Sequence, residues 1–275
     1  MGFFRDLFLT SSDNNVSGLC LSGGAALGLA HIGVLQALED HGIYPEHVVG
    51  SSMGAIIGTL YCAGYTPSEM MLMIKNDKLY KITKLMNFHP AFLKSGLSNH
   101  SMLKSLINEL IPHNSFDQLK KRMHICVVNL TKSQWEIIHT GNELDMWLSA
   151  SASIPGLFEA IKYEDNFYVD GGLLNNMPAQ GLEDYCQTII GVDVIPHRIP
   201  VSLTKPIDTL AYSVRAMQHQ NSKEGREMCR FLIEPNAIDK HNEFNFDAYQ
   251  DIYQDGYSAA TKYIVENPEI MRMRK

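Results

Sequence analysis

The sequence predicts an α/β fold built on parallel strands, and three observations predict it. Short apolar runs alternate with amphipathic stretches near the start: a strand over Val16–Ser22, a helix over Ala25–His41, a strand over His47–Gly50 and a helix over Ala55–Ala63. Such a run makes the strands parallel, because each helix returns the chain to the same end of the sheet. Each of the two strands also leads into a glycine-rich turn, Gly23-Gly24-Ala25-Ala26-Leu27-Gly28 and Gly50-Ser51-Ser52-Met53-Gly54. Finally, 45% of the 275 residues are hydrophobic and 19% are charged, which is enough to build one large core.

The elements follow in order. In the first helix Leu29, Ile32, Leu35 and Leu38 recur at helical spacing, with Gln36, Glu39 and Asp40 between them and Gly42 placed to end it. Gly64 ends the second helix in the same way. From Pro67 to Ser98 large apolar residues dominate. A helical pattern reaches Leu85, and Pro90 interrupts. A helix is expected over His100–Ile111, strands over Ile125–Leu130 and Trp135–His139, and a helix over Leu144–Ser153 that stops before Pro155. Phe167–Val169 is a strand running into Asp170-Gly171-Gly172, and Thr188–Val194 is a further buried strand. Helices over Ile207–His219 and Tyr249–Val265 flank a strand over Arg230–Glu234. With no internal repeat and no clean linker, residues 1–275 read as one domain, its core about 16–195 and a helical and strand extension about 200–267.

Composition narrows the function. A formal net charge of -7 argues against a nucleic-acid partner, which leaves a basic footprint. Five cysteines, an odd number without a Cys-x-x-Cys, read as reduced thiols, with Cys20, Cys62 and Cys126 in apolar runs. Met1–Thr10 lacks the apolar centre of a secretory signal, and no segment approaches the roughly 20 apolar residues of a membrane span. The expectation is a soluble, cytoplasmic protein. Phe3, Phe4, Leu7 and Phe8 at one end and Met271–Lys275 at the other are the segments available for peripheral membrane or dimer contact. Composition leaves the oligomeric state open.

Gly-x-Ser-x-Gly between a strand and a helix is a nucleophile elbow, a sharp turn that lifts the serine hydroxyl above the strand end. Here the nucleophile is Ser52, with Gly50 and Gly54 giving the turn its room. Ser51 falls outside the motif's serine position, and capping the following helix is the competing role for Ser52. The earlier turn offers the amides of Gly23, Gly24 and Ala25 as an oxyanion hole, joined by the amide of Met53 after the elbow serine. A dinucleotide fingerprint is the competing reading of that turn, and Ala25 breaks it. The elbow comes too early for a Ser–acid–His hydrolase topology. Asp170, at a strand end and followed by Gly171 and Gly172, is instead placed to take the proton of Ser52 directly. An apolar site that raises its pKa from about 3.9 would make it a better base. His31, among apolar residues of the first helix, reads as a core histidine.

These motifs together resemble the patatin-like phospholipases. The glycine turn with Gly28, the Gly50–Gly54 elbow and Asp170–Gly172 occur in the family's order. They are bridged by Leu29-Ala30-His31-Ile32-Gly33-Val34-Leu35, Ala150-Ser151-Ala152-Ser153-Ile154-Pro155-Gly156 and Tyr168-Val169-Asp170-Gly171-Gly172-Leu173. The resemblance implies a three-layer α/β/α sandwich around a mainly parallel sheet, with the elbow after the second strand. It implies a Ser52–Asp170 dyad without metal or cofactor, and hydrolysis of fatty-acyl esters in phospholipids, lysophospholipids or neutral glycerides. Acyl transfer and acyl binding by a degenerate site are the alternatives on the same fold.

Two positions depart from the family pattern. Ala25 stands at its third turn glycine and Leu27 at its arginine. Ala25 is strained if the turn needs a positive φ there. Leu27 offers a head group only apolar surface, which predicts a preference for neutral or short-chain esters; packing the first turn of its helix is the competing role. Met70, Met73, Met86, Phe88 and Phe92 lie where a cap over the site would sit, and methionine suits a variable acyl chain; packing in the core is the competing role of this run.

Overall fold

A computed structural model describes residues 16–76, 99–195, 204 and 206–274. Among these residues eight strands form one mixed sheet. Its centre is β1 (Ser17–Leu21), with β2 (His47–Ser51) on one side and β7 (Thr188–Val192) on the other, both parallel to it. The short β8 (Phe231–Ile233) extends the parallel half beyond β7. β1 and β7 are buried along their whole length, which is why they read as unbroken apolar runs rather than as alternation.

β3 (Arg122–Asn129) is where the sheet changes character. It runs parallel to β2 but antiparallel to β4 (Gln134–Ile138) and β6 (Asn166–Asp170), and β5 (Ile161–Tyr163) pairs antiparallel with β6. The register shows how three strands share β3. β4 covers Ile125–Asn129 on one edge, so β2, paired with Arg122–Cys126, and β6, paired with Val127–Asn129, lie on the other. They meet there end to end: Ser51 closes β2 opposite Cys126, and Asp170 closes β6 opposite the next residue, Val127.

The larger core covers one face of the sheet and includes α1 (Ala30–Asp40), α2 (Met53–Ala63), α5 (Leu144–Ser151) and α8 (Tyr249–Glu266). α3 (Pro67–Lys75), opened by a Thr66–Glu69 capping box, and α4 (Asn99–Leu110) pack at its rim. A smaller core of Cys20, Val49, Met177, Ala179, Leu182, Ile189 and Cys229 covers the opposite face. Beyond it lie a 3₁₀ turn, Ala179–Leu182, and the short α7 (Lys223–Met228). α6 (Pro206–Asn221) precedes α7. The C-terminal extension is built into this framework. β8 joins the common sheet, and α8 crosses α1 so closely that a β-carbon on Gly33 would strike the backbone of Tyr253, and one on Gly256 that of Ala30.

Three elements differ from expectation. The helix expected from Ala25 opens as a 3₁₀ turn, Ala25–Leu29, and becomes α-helical only at Ala30. β5 was not legible, because three residues with an exposed Lys162 carry no periodicity. α7 is six mostly polar residues, below what a helical pattern can reveal. All five cysteines are free thiols, four buried and Cys186 half-buried. The C-terminal tail is docked rather than exposed: Ile270 and Met273 are buried and Arg274 bridges to Ile43. Phe3, Phe4, Leu7 and Phe8 lie outside the described residues.

Candidate active site

Ser52 sits between the last residue of β2 and the first of α2, with φ 52° and ψ −123°. A non-glycine residue is held there only when its surroundings over-determine it, and such strain clusters at functional sites. The surroundings are identifiable. The Ser52 amide donates to Ser151 Oγ at 3.0 Å, and that hydroxyl donates to the Cys126 carbonyl at 2.8 Å. The elbow therefore hangs from β3 through one serine of α5. Gly54 lets α2 pass against the end of β1, since a β-carbon there would strike the carbonyls of Leu21 and Ser22. Gly50 has no room either, against Gly54 and Ala55. The Ser52 side chain makes no capping bond to α2, so its hydroxyl is not occupied as an N-cap.

The first glycine turn stands beside the elbow. A β-carbon on Gly23 would lie 3.2 Å from Ser52 Cβ, and one on Gly28 would strike Met53. Ala25 has φ +46°, so the strain expected of an alanine here is present. Neighbouring bonds hold the turn: the Ala26 amide donates to the Glu243 carbonyl at 2.9 Å, and the Glu243 carboxylate pairs with Arg215 of α6. His31 Nε2 bonds the Ser22 carbonyl at 2.8 Å, at the end of β1. His31 is wholly buried, and desolvation pushes its pKa down to about 4, only partly offset by the Ser22 bond. It is the core histidine expected.

Of the four amides expected to form an oxyanion hole, that of Gly23 is engaged, donating to the Asn176 carbonyl at 3.3 Å. The amides of Gly24 and Ala25 have no hydrogen-bond partner among the described residues. Met53 opens α2, so its amide is one of the first-turn donors without an intrahelical acceptor.

Asp170 reaches Ser52 from the other side, where β2 and β6 meet. Its carboxyl accepts from the Gly172 amide at 2.8 Å. Burial pushes its pKa up to about 6, while the hydrogen bonds from the Ser52 side chain and the Gly172 amide pull it down. Desolvation wins because the group is only 5% exposed and, among the described residues, no cation offsets its burial. Gly171 allows the junction: a β-carbon there would lie 2.5 Å from the Cys126 carbonyl and 2.8 Å from Ser51 Oγ. At Gly172 one would stand 2.6 Å from Asn176 Oδ1.

Two expectations change. Leu27 is wholly buried in the larger core. It presents no surface to a head group, and the argument for neutral esters from that residue does not hold. Met70 is likewise wholly buried and packs the core rather than lining an open pocket, while Met73 is half-buried against it. Met86, Phe88 and Phe92 lie outside the described residues. Sequence reasoning missed the supports, Ser151, Asn176 and Asn221. Ser151 and Asn176 are close to recognised motifs, but a hydrogen bond across 99 residues, as between Ser151 and Ser52, leaves no local signal.

The fold and the site define an α/β protein with a nucleophile elbow on the second strand of its sheet. A family model described as patatin-like phospholipase matches residues 19–182, more than half the chain, and the chain belongs to that family. Lysophospholipase NTE1 of Eremothecium gossypii is 29% identical over 180 residues, 64% of this chain and 12% of that protein. Probable lipid hydrolase 463L of Invertebrate iridescent virus 6 is 33% identical over 177 residues, 58% of this chain and 61% of that protein. The chain thus spans less than two thirds of either relative. The crystal structure of VipD from Legionella pneumophila matches with a TM-score of 0.51 at 15% identity, over 92% of this chain and 67% of VipD, a likeness of fold.

Proposed function

We propose that this chain is a serine acyl hydrolase cleaving fatty-acyl esters of lipids through Ser52 and Asp170. The observation that carries the reading is the end-to-end meeting of β2 and β6. It sets a strained serine against a buried carboxyl whose pKa is pushed up to about 6.

In the first step Ser52 Oγ attacks the ester carbonyl carbon and its proton passes to Asp170. Charge develops on the carbonyl oxygen, where the amides of Gly24 and Ala25, without a partner among the described residues, and the first-turn amide of Met53 are available donors. One such donor is worth about 3 kcal/mol in related sites. The tetrahedral intermediate collapses, and the departing alcohol takes its proton from Asp170. Water then attacks the acyl-enzyme and gives a proton to Asp170. Ser52 leaves, recovers that proton, and the fatty acid is released. A base near pKa 6 is ionised at neutral pH yet holds a proton better than an ordinary aspartate, which suits both halves of the cycle.

The relatives named lysophospholipase and lipid hydrolase make a lysophospholipid the first substrate to try, beside diacyl phospholipids and neutral glycerides. In the described residues no helix is long and apolar enough to cross a membrane, and such substrates would be met by peripheral contact with a lipid surface. A fluorophosphonate probe tests the nucleophile. Labelling of the wild type at Ser52, lost in Ser52→Ala, is the expected result. Folded protein that does not label is an acyl-binding module instead. Adding an acceptor alcohol separates hydrolysis from transfer by the product formed.

A further inference from the structure

The Asp170 loop is held by a side chain that belongs to no motif. Asn221 is the last residue of α6. Its Nδ2 donates to the carbonyls of Gly172 and Leu173 at 3.2 and 3.1 Å, and its Oδ1 accepts the Asn176 amide at 3.0 Å. One planar amide thus grips three backbone groups between Gly172 and Asn176.

Both ends of that grip connect to the site. The Gly172 amide donates to Asp170 Oδ1, and the Asn176 carbonyl accepts the amide of Gly23 in the first glycine turn. The Asn176 side chain lies between them. It is 1% exposed, and neither of its polar atoms has a partner among the described residues. A β-carbon on either Gly23 or Gly172 would stand 2.6 Å from its Oδ1. An amide buried without partners is costly, and a leucine of similar size would fill the same space more cheaply. Its position links the two: it packs against the turn beside Ser52 and the loop after Asp170 together.

We propose that Asn221 and Asn176 form a clasp that positions the Asp170 carboxyl and the Gly23 turn on one backbone unit, so that base and oxyanion donors keep a common geometry. The proposal rests on the Ser52–Asp170 reading. Both asparagines are positioning residues. Asn221 acts through Gly172 and Asn176, and Asn176 acts through Gly23 and Gly172. The groups facing Asp170 are the Ser52 hydroxyl, the Gly172 amide and the Cys126 thiol of β3, which burial keeps protonated.

The test compares wild type, Asn221→Ala, Asn221→Asp and Asn176→Asp on a short p-nitrophenyl ester, with rates normalised to the sites titrated by fluorophosphonate. Asn221→Asp keeps the acceptor for the Asn176 amide and loses both donations. Because small displacements of a reacting group cost up to about 10²-fold, kcat of Asn221→Ala should fall about 10- to 100-fold with KM within about threefold. Its acid limb should move to higher pH, since a loosened Gly172 amide no longer draws the Asp170 pKa down. Asn221→Asp turns an acceptor toward the Gly172 and Leu173 carbonyls and sets a charge beside the Asp170 loop, so it should be at least as impaired as Asn221→Ala, with its acid limb also moved upward. Asn176→Asp, with a second carboxyl against the Asp170 loop, should also move the acid limb upward. The clasp is overturned if the variants that fold and label keep the wild-type acid limb and kcat. It is equally overturned if Asn176→Asp alone leaves the limb in place where Asn221→Ala cannot be obtained folded. The dyad reading fails differently, by wild type that does not label at Ser52 or by Asp170→Asn that turns over normally.

Discussion

The two halves of the sheet contribute to the site by different routes. In the parallel half, β1 and β2 are neighbours with successive helices behind them, so their terminal turns emerge side by side: Gly23–Ala25 from one, Ser52 from the other. In the antiparallel half, β6 approaches from the opposite direction and stops against β2, delivering Asp170 through a junction with no space for a side chain at Gly171. The parallel half obtains its geometry from local repetition of strand, turn and helix. The antiparallel half obtains it from register along β3. A candidate site assembled this way depends on β3 as a ruler: a slip of one residue in either pairing would separate the proposed base from the proposed nucleophile.

The largest expected effect tests whether both halves are chemically necessary. Ser52→Ala, on the parallel side, and Asp170→Asn, on the antiparallel side, should each lower turnover of a lysophospholipid about 10⁴-fold, and the double variant should be little worse than either. Asp170→Asn within about tenfold of wild type would remove the antiparallel half from the chemistry.

The next effect contrasts the titrating groups, which act with opposite sign. Asp170 has its pKa raised from 3.8 to about 6, so the folded protein holds this proton over a range where the unfolded chain has lost it. Its contribution is present below pH 4 and is lost as pH rises through about 6. Asp170→Asn should therefore stabilise the protein above pH 6, by up to about 3 kcal/mol, and the gain should vanish below pH 4. His31, in the parallel half, has its pKa lowered from 6.5 to about 4. Its contribution is present above pH 6.5 and is lost as pH falls toward 4, and His31→Gln should flatten that loss. Urea midpoints across the pH range measure both, and slopes of the same sign would contradict the burial of one of the two.

A smaller effect probes the close approaches. Gly54→Ala drives a methyl into the β1 carbonyls, and Gly171→Ala drives one into the Cys126 carbonyl. Overpacking typically costs about 1–3 kcal/mol, and neither backbone can withdraw. Both should lose that stability, and Gly171→Ala should in addition lose activity in the protein that remains folded, because it parts β6 from β2. If Gly171→Ala is fully active, the junction is looser than its register implies.

The smallest effect is at Ala25. Its positive φ costs an alanine about 1–2 kcal/mol, and a glycine gives back about 0.5–1 kcal/mol in chain entropy. Ala25→Gly should raise stability by no more than about 1.5 kcal/mol, with the backbone amide at this position retained. A loss of stability would mean that the alanine methyl packs better than the strain suggests.

How much could be read in advance follows the same division. The elbow, the first turn and the order of the parallel strands are local: apolar runs of five residues, glycines at turns and helical spacing all lie within a few residues of one another. Asp170 was recognisable from its glycines and strand end, and its partnership with Ser52 could be argued from chemistry. The antiparallel approach of β6 could not, because a strand carries no mark of its direction. Leu27 and Met70 show the converse. For each the residue type left a site role and a core role open, and each is buried in the core, since the side of a helix that faces inward depends on what packs against it.

The sequence by itself determined the α/β class, the serine on its sharp turn, the amide-rich turn before it and the carboxylate at a strand end, because each is written in contiguous residues with a backbone requirement only certain side chains meet. The tertiary structure alone decided that β2 and β6 end tip to tip on β3. It also decided that the Ser52 amide bonds Ser151, that Asn221 bonds the loop after Asp170, and that burial lifts Asp170 to about 6. Those outcomes depend on register, on hydrogen bonds spanning dozens of residues and on the exclusion of water. None of these is a property of any segment until the segments are packed together.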